Sequence, residues 1–286
     1  MKLYAISDLH LDYASNREAL QALPPQPDDW LILGGDLGHT DGALHFALRV
    51  LTQRFQRLFW VPGNHDLWTS PKERAPLYGE DRYHRLVTIC REYGVSTPED
   101  PYVRWPGAGK ACLICPLFLL YDYSFRPAHV PLQQAVEWAA ESGVMCADEL
   151  LLSAHPHASK PAWCASRCAY TEQRLQEVST QGSLVLVNHF PLREDLVRLR
   201  RIPRFSIWCG TRRTEDWHVR FPVAVAVSGH LHIRSTTYRD GVRFEEVSLG
   251  YPRDWQPEQG IQPYLREILP GPCQATVALY PNNNGP

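Results

Sequence analysis

The chain has 286 residues, of which 44% are hydrophobic and 21% are charged, and its formal net charge is −2. This length suits one large α/β domain or two small ones, with an ordinary soluble composition that can bury a sizeable core. The net charge argues against a nucleic-acid partner, and no apolar run approaches the roughly 20 residues that cross a bilayer. The opening MKLYAISDLHL predicts a strand and lacks the features of a signal peptide, so we expect a cytoplasmic protein with no membrane partner.

Short apolar runs that end near Gly, Asp, Asn or Pro predict strands along the chain. In chain order these runs are Leu3–Ile6, Trp30–Leu33, Leu58–Val61, Cys112–Cys115, Leu184–Val187 and Val223–Val227. Helical patterns lie between them, for example at Gly42–Gln56 and Thr171–Val178. Such alternation predicts an α/β domain with a largely buried sheet.

The last third of the chain has a different pattern. The stretch IRSTTYRDGVRFEEVSLG alternates around Asp240-Gly241, which is a strong signal for a two-residue hairpin. Parallel strands followed by a hairpin predict a mixed sheet, with two sheets stacked on each other. Residues 119–169 are rich in aromatics, Pro, Ala and His, and we interpret them as an insertion or cap above the site. We therefore expect one domain over residues 1–270 and a loose tail at 271–286.

Eight cysteines in a chain of this length do not form a disulfide scaffold. Cys112 and Cys115 form a C-x-x-C pair, and Cys164 and Cys168 lie one helical turn apart, so a structural zinc site is one interpretation. Cys112 and Cys115 lie within an apolar run, however, where cysteine is a common small core residue. We favour buried, reduced cysteines.

Side chains of the kinds that bind metal ions follow five of the predicted strands, where loops of an α/β sheet converge. They are Asp8, His10, Asp36, Asn64, His65, Asp66, His189, His230 and His232. One His or Asp after a strand is usually a structural residue or part of a turn. So many imidazoles and carboxylates, however, are costly to gather in one place without a cation. The pattern therefore predicts a metal centre.

The ligand types indicate which ions and how many. Oxygen and nitrogen ligands without cysteine favour divalent manganese or iron, with zinc as an alternative. Seven ligands exceed the four or so that one structural zinc uses, so two ions that share a carboxylate fit this set.

The order D-x-H, G-D, G-N-H-D/E, H and G-H-x-H resembles the calcineurin-like binuclear metallophosphoesterases. This chain has the pattern at Asp8–His10, Gly35-Asp36, Gly63–Asp66, His189 and Gly229–His232. The resemblance implies a four-layer α/β/β/α sandwich of two mixed sheets. It also implies one ion bound by Asp8, His10, Asp36 and His232, and a second bound by Asp36, Asn64, His189 and His230.

The same resemblance implies catalytic roles for His65 and Asp66. His65 would face the oxygen of the leaving group rather than bind a metal, and Asp66 would orient its imidazole and favour the protonated form. Two ions about 3.5–4 Å apart would polarise the phosphoryl oxygens and activate a water, so no Ser or Cys nucleophile is required.

A closer resemblance, carried by segments such as FWVPGNHDLWT, LVNHFPL and GVRFEEVSLGYPRDW, is to the bacterial phosphopantetheinyl hydrolases. It implies a phosphodiesterase that releases 4′-phosphopantetheine from holo-acyl carrier protein. The basic stretch LREDLVRLRRIPRF then suggests a docking surface for an acidic carrier protein, with Arg200 and Arg201 as substrate-binding residues, although a solvated basic face is the alternative.

Three other functions remain open from the sequence. The first is a phosphodiesterase or phosphomonoesterase for small molecules such as nucleotides. The second is a scaffold without catalysis, which should lack a ligand or His65, and this chain lacks neither. The third is a nuclease, which the net charge of −2 disfavours.

Overall fold

The computed structural model describes residues 1–69 and 76–271. The strands are β1 Leu3–Ile6, β2 Gln26–Leu33, β3 Phe55–Trp60, β4 Val103–Arg104, β5 Cys112–Pro116, β6 Ser183–Val187, β7 Val223–Ser228, β8 Ser235–Arg239, β9 Val242–Glu246 and β10 Arg266–Leu269. Each predicted strand therefore exists, with ends that differ from the prediction by a few residues.

Helices connect the strands. They are α1 Ala14–Gln21, α2 Asp41–Leu51, α3 Asn64–Leu67, α4 Gly79–Glu92, α5 Ala135–Ala140, α6 Asp148–Leu151, α7 Lys160–Val178 and α8 Trp217–Arg220. Short 3-10 turns lie at Leu132–Gln134, Glu194–Leu196, Pro203–Trp208, Arg212–Thr214, Pro257–Gln259 and Gln262–Tyr264. Helix α2 ends five residues before the predicted Gln56, because the chain enters β3 at Phe55. Its start is fixed by Thr40, whose side chain accepts the N–H of Ala43.

The strands form two mixed sheets. One has the order β10-β1-β2-β3, in which only β10 runs antiparallel. The other has the order β4-β5-β6-β7-β9-β8, in which β4 and β8 are the antiparallel edges. The β8–β9 hairpin turns at Asp240-Gly241 as predicted, and both residues have the positive φ that such a turn needs.

The strands alternate between two apolar layers. In β2, Trp30 and Ile32 pack in a cluster with Ile114, Val185 and other residues of the second sheet. Their neighbours Leu31 and Leu33 belong instead to the larger cluster that includes the helices. Each sheet thus buries one face against the other sheet and one against helices, as a four-layer sandwich requires.

The predicted cap, residues 119–169, contains α5, α6 and the first half of α7. Its predicted end lies inside α7, because that helix continues without a break to Val178. Residues 272–286 of the predicted tail lie outside the described residues. In the described part of the chain, no helix has the length and apolar composition that spanning a bilayer requires.

The seven cysteines in the described residues are free and buried, as predicted. Cys112 and Cys115 cannot converge on one ion, because they lie in different apolar layers on the two faces of β5. Cys164 and Cys168 have their sulfur atoms 4.0 Å apart. No group of potential metal ligands among the residues that the structure describes includes a cysteine.

Candidate binuclear metal centre

The seven predicted metal ligands lie together at the carboxyl ends of β1, β2, β3, β6 and β7. Asp8 and His10 follow β1, Asp36 follows β2, and Asn64 begins the short helix after β3. The list is completed by the histidines that follow β6 and β7, which are His189, His230 and His232. Parallel strands bring their carboxyl ends to one edge, and this explains how residues more than two hundred positions apart meet.

The backbone at five of these ligands is unusual. Asp8, His10, Asp36, His230 and His232 all have φ between 41° and 72°, the left-handed region that non-glycine residues rarely occupy. Each such residue costs on the order of 1–3 kcal/mol and persists only where its surroundings hold it. This concentration of strain marks the loops as a functional site.

Hydrogen bonds hold one carboxylate oxygen of Asp8, and the other oxygen faces the candidate ligands. Its Oδ2 accepts hydrogen bonds from the hydroxyls of Ser7 and Ser248, at 2.5 and 2.8 Å, and from the backbone N–H of His230 at 3.1 Å. Its Oδ1 lies 3.1 Å from Nε2 of His232. That nitrogen is in turn 3.1 Å from Nε2 of His10. These three side chains form one group of ligand atoms.

A second group surrounds the amide oxygen of Asn64. This Oδ1 lies 3.2 Å from Nε2 of His189 and 3.2 Å from Nδ1 of His230. Nε2 of His189 is also 3.4 Å from Oδ2 of Asp36. Asp36, like Asp8 and His10, occurs in two of the three groups of ligand atoms found in the described residues, and the resemblance assigns the carboxylate shared by two ions to Asp36.

The imidazoles are oriented by hydrogen bonds on their far sides. Nδ1 of His189 lies 2.9 Å from the carbonyl oxygen of Gly34, and Nδ1 of His232 lies 3.1 Å from Oδ2 of Asp254. Both acceptors require the proton on Nδ1, which leaves Nε2 with a lone pair for a metal. Asp254 was not among the predicted residues, although it lies in the YPRDW segment that carried the closer resemblance.

The charge of the site calls for a cation. Asp8 and Asp36 are 0% and 2% exposed, and nearby histidines keep the pKa of each carboxyl low despite burial. Burial alone would lower the pKa of His189, but Asp36 and Asp8 outweigh it and raise that pKa to about 10. Without metal ions, protons on the imidazoles thus balance the negative charge of the buried carboxylates. Bound metal ions would neutralise the same charge. The donor set fits divalent ions bound by oxygen and nitrogen.

Glycines allow the loops to approach one another this closely. A Cβ on Gly63 would collide with the carboxylate of Asp36, and a Cβ on Gly229 would collide with the Ser7 hydroxyl and the Asp8 carboxylate. The glycines of G-N-H and G-H-x-H are therefore required by contact with the two carboxylates.

Comparison with known proteins identifies the family. Residues 1–234 match the family model described as calcineurin-like phosphoesterase. The chain belongs to this family. It is a hydrolase of phosphoric esters, and membership implies divalent metal ions as cofactors.

Individual relatives of the phosphoesterase agree with this assignment. The chain is 45% identical over 275 residues to the acyl-carrier-protein phosphodiesterase PptH of Mycobacterium tuberculosis, covering 96% of this chain and 85% of that protein. The crystal structure of phosphopantetheinyl hydrolase (PptH) from the same organism covers 95% of this chain and 96% of its own, with a TM-score of 0.90 and 45% identity. This likeness confirms the predicted α/β/β/α sandwich. A putative 5′-nucleotidase from Staphylococcus aureus reaches only a TM-score of 0.43, at 11% identity over 85% of this chain and 48% of its own.

The predicted role of Asp66 in the phosphoesterase is wrong in one respect. Its carboxylate does not orient His65 but accepts backbone N–H groups, which are those of Asp36, Leu37, Gly38 and Gly63, at 2.8 to 3.4 Å. Burial, together with the charge of Asp36, raises the pKa of Asp66 to about 7, against the lowering effect of these N–H groups. Asp66 therefore shapes the loop that carries Asp36.

His65 contacts other partners instead. Its Nδ1 lies 2.8 Å from Nε2 of His39, and its ring stacks on Trp68 with centroids 3.8 Å apart. Its Nε2 lies on the other side, 3.9 Å from Oδ2 of Asp36. Burial lowers the pKa of His65 to about 3, and Asp66 does not oppose this, contrary to the expectation that its carboxylate favours the protonated form.

Asp148, from the predicted cap, fixes the orientation of Asn64. This fully buried carboxylate accepts Nδ2–H of Asn64 at 2.9 Å, the indole N–H of Trp68 at 2.6 Å and the hydroxyl of Tyr121 at 3.0 Å. Because a carboxylate only accepts, the amide nitrogen of Asn64 must face Asp148 and its oxygen must face the histidines. The sequence offers no local signal for Asp148, which is 84 residues from Asn64.

Asp148→Asn should weaken metal binding by about 10–100-fold, the usual cost of losing a group that orients a ligand. The new amide can offer its own N–H groups to Asn64 and allow that ligand to turn its oxygen away. Calorimetric titration of the metal-free protein with Mn²⁺ measures the effect, and Asp28→Asn on the exposed part of β2 is the matched control. Equal affinities in the two variants would show that Asp148 has only a packing role.

A cavity of about 860 Å³ opens over the candidate metal centre. Its floor includes Asp36, Asn64, His65, His230 and His232, and its walls combine apolar and basic side chains. The basic ones are Arg198, Arg200, Arg201 and Arg253. The apolar ones are Trp68, Met145, Leu199, Ile202, Phe205, Leu231 and Ile233. The structure thus places the predicted substrate-binding arginines on the wall of a cavity that contains four of the predicted metal ligands, which are Asp36, Asn64, His230 and His232.

Proposed function

We propose that this phosphoesterase is a metal-dependent phosphodiesterase that releases 4′-phosphopantetheine from holo-acyl carrier protein. The observation that carries the proposal is the 45% identity, over 96% of this chain, to a protein named an acyl-carrier-protein phosphodiesterase. The cavity agrees with it, because basic and apolar walls above a metal centre suit a phosphodiester with a long, partly apolar arm.

The proposed site uses two divalent ions, manganese or iron by the ligand set, with zinc as the alternative. Asp8, His10, Asp36 and His232 would hold one ion, and the second would be held by Asp36, Asn64, His189 and His230. When bound, such ions polarise the phosphoryl oxygens and lower the pKa of a shared water. His65, beside Asp36 at the cavity floor, would give a proton to the serine oxygen that leaves.

The basic segment 198–201 is the proposed docking surface for the carrier protein. Arg193 and Arg204, at the two ends of the basic stretch, already pair with Asp195 and Glu141. Three arginines between them are exposed and form no ion pair with any residue that the structure describes; they are Arg198, Arg200 and Arg201. Free cationic side chains at the mouth of the cavity suit an acidic partner.

The proposal is tested by incubating the protein and Mn²⁺ with holo-acyl carrier protein, and by following the conversion to the apo form by mass spectrometry. We expect apo-carrier and free 4′-phosphopantetheine, complete loss of activity with a chelator, recovery with Mn²⁺, and about two ions per chain by elemental analysis. Nucleotides and simple phosphodiesters are tested in parallel. Cleavage of these without any cleavage of holo-carrier would favour a small-molecule phosphoesterase.

Reversing both Arg200 and Arg201 to Glu should lower kcat/KM for holo-carrier about 10–100-fold at low salt and leave a small chromogenic phosphodiester within about twofold. Charges at the rim of an interface alter encounter rates and salt sensitivity rather than the chemical step. Raising the salt to roughly 0.5 M shortens screening to a few ångströms and should reproduce this selective loss in the wild type. Reversing Arg253 to Glu is the control, because this arginine is also exposed on the cavity wall but lies outside segment 198–201. Equal losses on both substrates would contradict carrier docking at this segment.

A further inference from the structure

A second, smaller cavity lies beside the one over the candidate metal centre. It has a volume of about 170 Å³, and residues of β7, β8 and β9 form its base. Arg198, Leu231 and Ile233 line both cavities, so the two meet at these side chains. Leu231 and Ile233 also flank the candidate ligand His232 in sequence. This side cavity therefore begins next to the metal centre.

The base of the side cavity contains a row of polar residues across three strands. Ser228 of β7 lies opposite Glu246 of β9, and Glu246 lies opposite Ser235 of β8. All three line the side cavity, since residues paired across strands share one face of a sheet. Phe244, two residues before Glu246 and on the same face, belongs to the large apolar cluster. Core packing therefore does not explain three polar residues in one row, one of them a carboxylate.

Glu246 is buried without the cations that its neighbour has. Glu245, on the opposite face of β9, pairs with Arg243 and Arg266. Glu246 is 5% exposed, and within the described residues it forms no ion pair. Its oxygens accept hydrogen bonds from the hydroxyl and the backbone N–H of Ser248. A carboxylate has about four acceptor sites, so sites remain for a donor inside the cavity.

The other polar groups of the side cavity are hydroxyls and one guanidinium. They belong to Ser228, Ser235, Thr237 and Arg198, with apolar side chains such as Leu231 and Phe244 between them. This lining fits secondary amides joined by methylene groups. The amide N–H would donate to Glu246, its carbonyl oxygen would accept from a hydroxyl or the guanidinium, and the methylene groups would contact the apolar side chains. The distal half of pantetheine has this chemistry, with two secondary amides and a terminal thiol.

We propose that the side cavity binds the amide and thiol end of the pantetheine arm while the phosphodiester lies at the metal centre. This inference rests on the proposed function, because it assigns a place to one part of that substrate. Whole ligands of drug size occupy about 300–1,000 Å³, so a cavity of 170 Å³ suits one end of a ligand. Because the two cavities meet at Arg198, Leu231 and Ile233, one extended arm can occupy both.

Two nitrophenyl phosphodiesters test this subsite without a carrier protein. One has 4′-pantetheine as its second alcohol, and the other has methanol. Ser235→Trp fills the side cavity from an exposed position of the edge strand β8, and Thr236→Trp places the same ring on the opposite face as the matched control. We expect Ser235→Trp to lower kcat/KM for the pantetheine ester about 10–100-fold, mainly through KM, which is the usual value of a hydrogen bond to a charged group. The methyl ester should stay within about twofold, and Thr236→Trp should keep the wild-type preference for the pantetheine ester.

A disulfide trap gives a readout that does not depend on catalysis. The probe is the symmetric disulfide of 4′-phosphopantetheine, added with Mn²⁺. The thiolate of Ser235→Cys attacks one sulfur of the probe, a mixed disulfide forms, and one molecule of 4′-phosphopantetheine leaves as its thiolate. We expect intact-mass spectrometry to show labelling about 10-fold faster for Ser235→Cys than for Thr236→Cys. Hydroxyethyl disulfide, which has no arm, should label the two variants at equal rates.

Three results would each overturn the subsite. They are an equal loss of Ser235→Trp on both esters, a retained preference of that variant for the pantetheine ester, and equal trapping of the two cysteine variants by the phosphopantetheine probe. If the tryptophan unfolds the edge strand, the trapping rates decide. A wild-type enzyme that prefers the pantetheine ester but does not cleave holo-carrier protein would instead contradict the proposed function and leave the subsite in place.

Discussion

Replacing Asp36 with asparagine should release metal from both positions of the centre and lower kcat by about 10³-fold or more. Oδ2 of Asp36 lies 3.4 Å from Nε2 of His189, and its Oδ1 accepts the backbone N–H of His65 at 2.8 Å. The carboxylate is therefore fixed between the two groups of ligand atoms. Asparagine keeps the size of the side chain but removes the charge that both ions would share. Charge stabilisation by metal ions amounts to several kcal/mol, and each 1.36 kcal/mol is a factor of ten in rate.

The measurement is elemental analysis of the purified variant, with activity on a small phosphodiester in excess Mn²⁺. Asp28→Asn, at an exposed residue of β2, makes the same chemical change away from the site and should keep both ions. If Asp36→Asn kept two ions and lost only activity, Asp36 would not be the shared ligand. If the variant kept one ion, Asp36 would be a ligand of only one of the two ions.

The strands and the convergence of the candidate metal ligands were predictable because both depend on local sequence. Apolar runs that end in polar residues define both a buried strand and the loop at its carboxyl end. In a parallel sheet these loops lie on one edge, so the sequence indicated that the side chains after these strands would converge, and the resemblance supplied the grouping of Asp8 with His232. The hairpin at Asp240-Gly241 was equally local, because the turn type depends on two residues.

The environment of His65 was not predictable, because it depends on loop conformation. The resemblance implied that Asp66, next to His65 in sequence, would orient its imidazole. The positive φ of Asp36 turns the following backbone so that the N–H groups of residues 36–38 face Asp66 instead. The same turn brings His39 to Nδ1 of His65. A weak signal was present, since His39 lies three residues after a ligand in the same loop.

Long-range partners were also missed. Asp148 lies in a segment whose composition indicated only a cap, and its contact with Asn64 depends on tertiary packing of α6. The paired and unpaired arginines of the basic stretch were also not predictable. Sequence alone cannot distinguish Arg193 and Arg204, which are paired, from Arg200 and Arg201, which face the cavity, because their ion-pair partners are elsewhere in the chain.

His65→Ala should lower kcat by about 10²–10⁴-fold, the usual cost of losing a general acid, while both ions stay bound. The geometry explains why these two effects should separate. The contact of His65 with Asp36 that matters for the centre is made by its backbone N–H, at 2.8 Å from Oδ1, and alanine keeps this donor. The imidazole itself uses Nδ1 toward His39, and its Nε2 is 3.9 Å from Oδ2 of Asp36.

The competing assignment has a geometric basis, because ligand atoms of His10, Asp36 and His65 also lie within 4.8 Å of one another. If His65 were a ligand, His65→Ala would lose about one ion per chain, and activity would return partly at high Mn²⁺. If it is the proton donor, elemental analysis should match wild type, and added Mn²⁺ should restore nothing. His84→Ala, on the exposed side of α4, controls for the loss of a histidine as such. One result would assign His65 to the substrate side of the site. The variant would keep its metal, and its loss of kcat would grow as the leaving group becomes more basic.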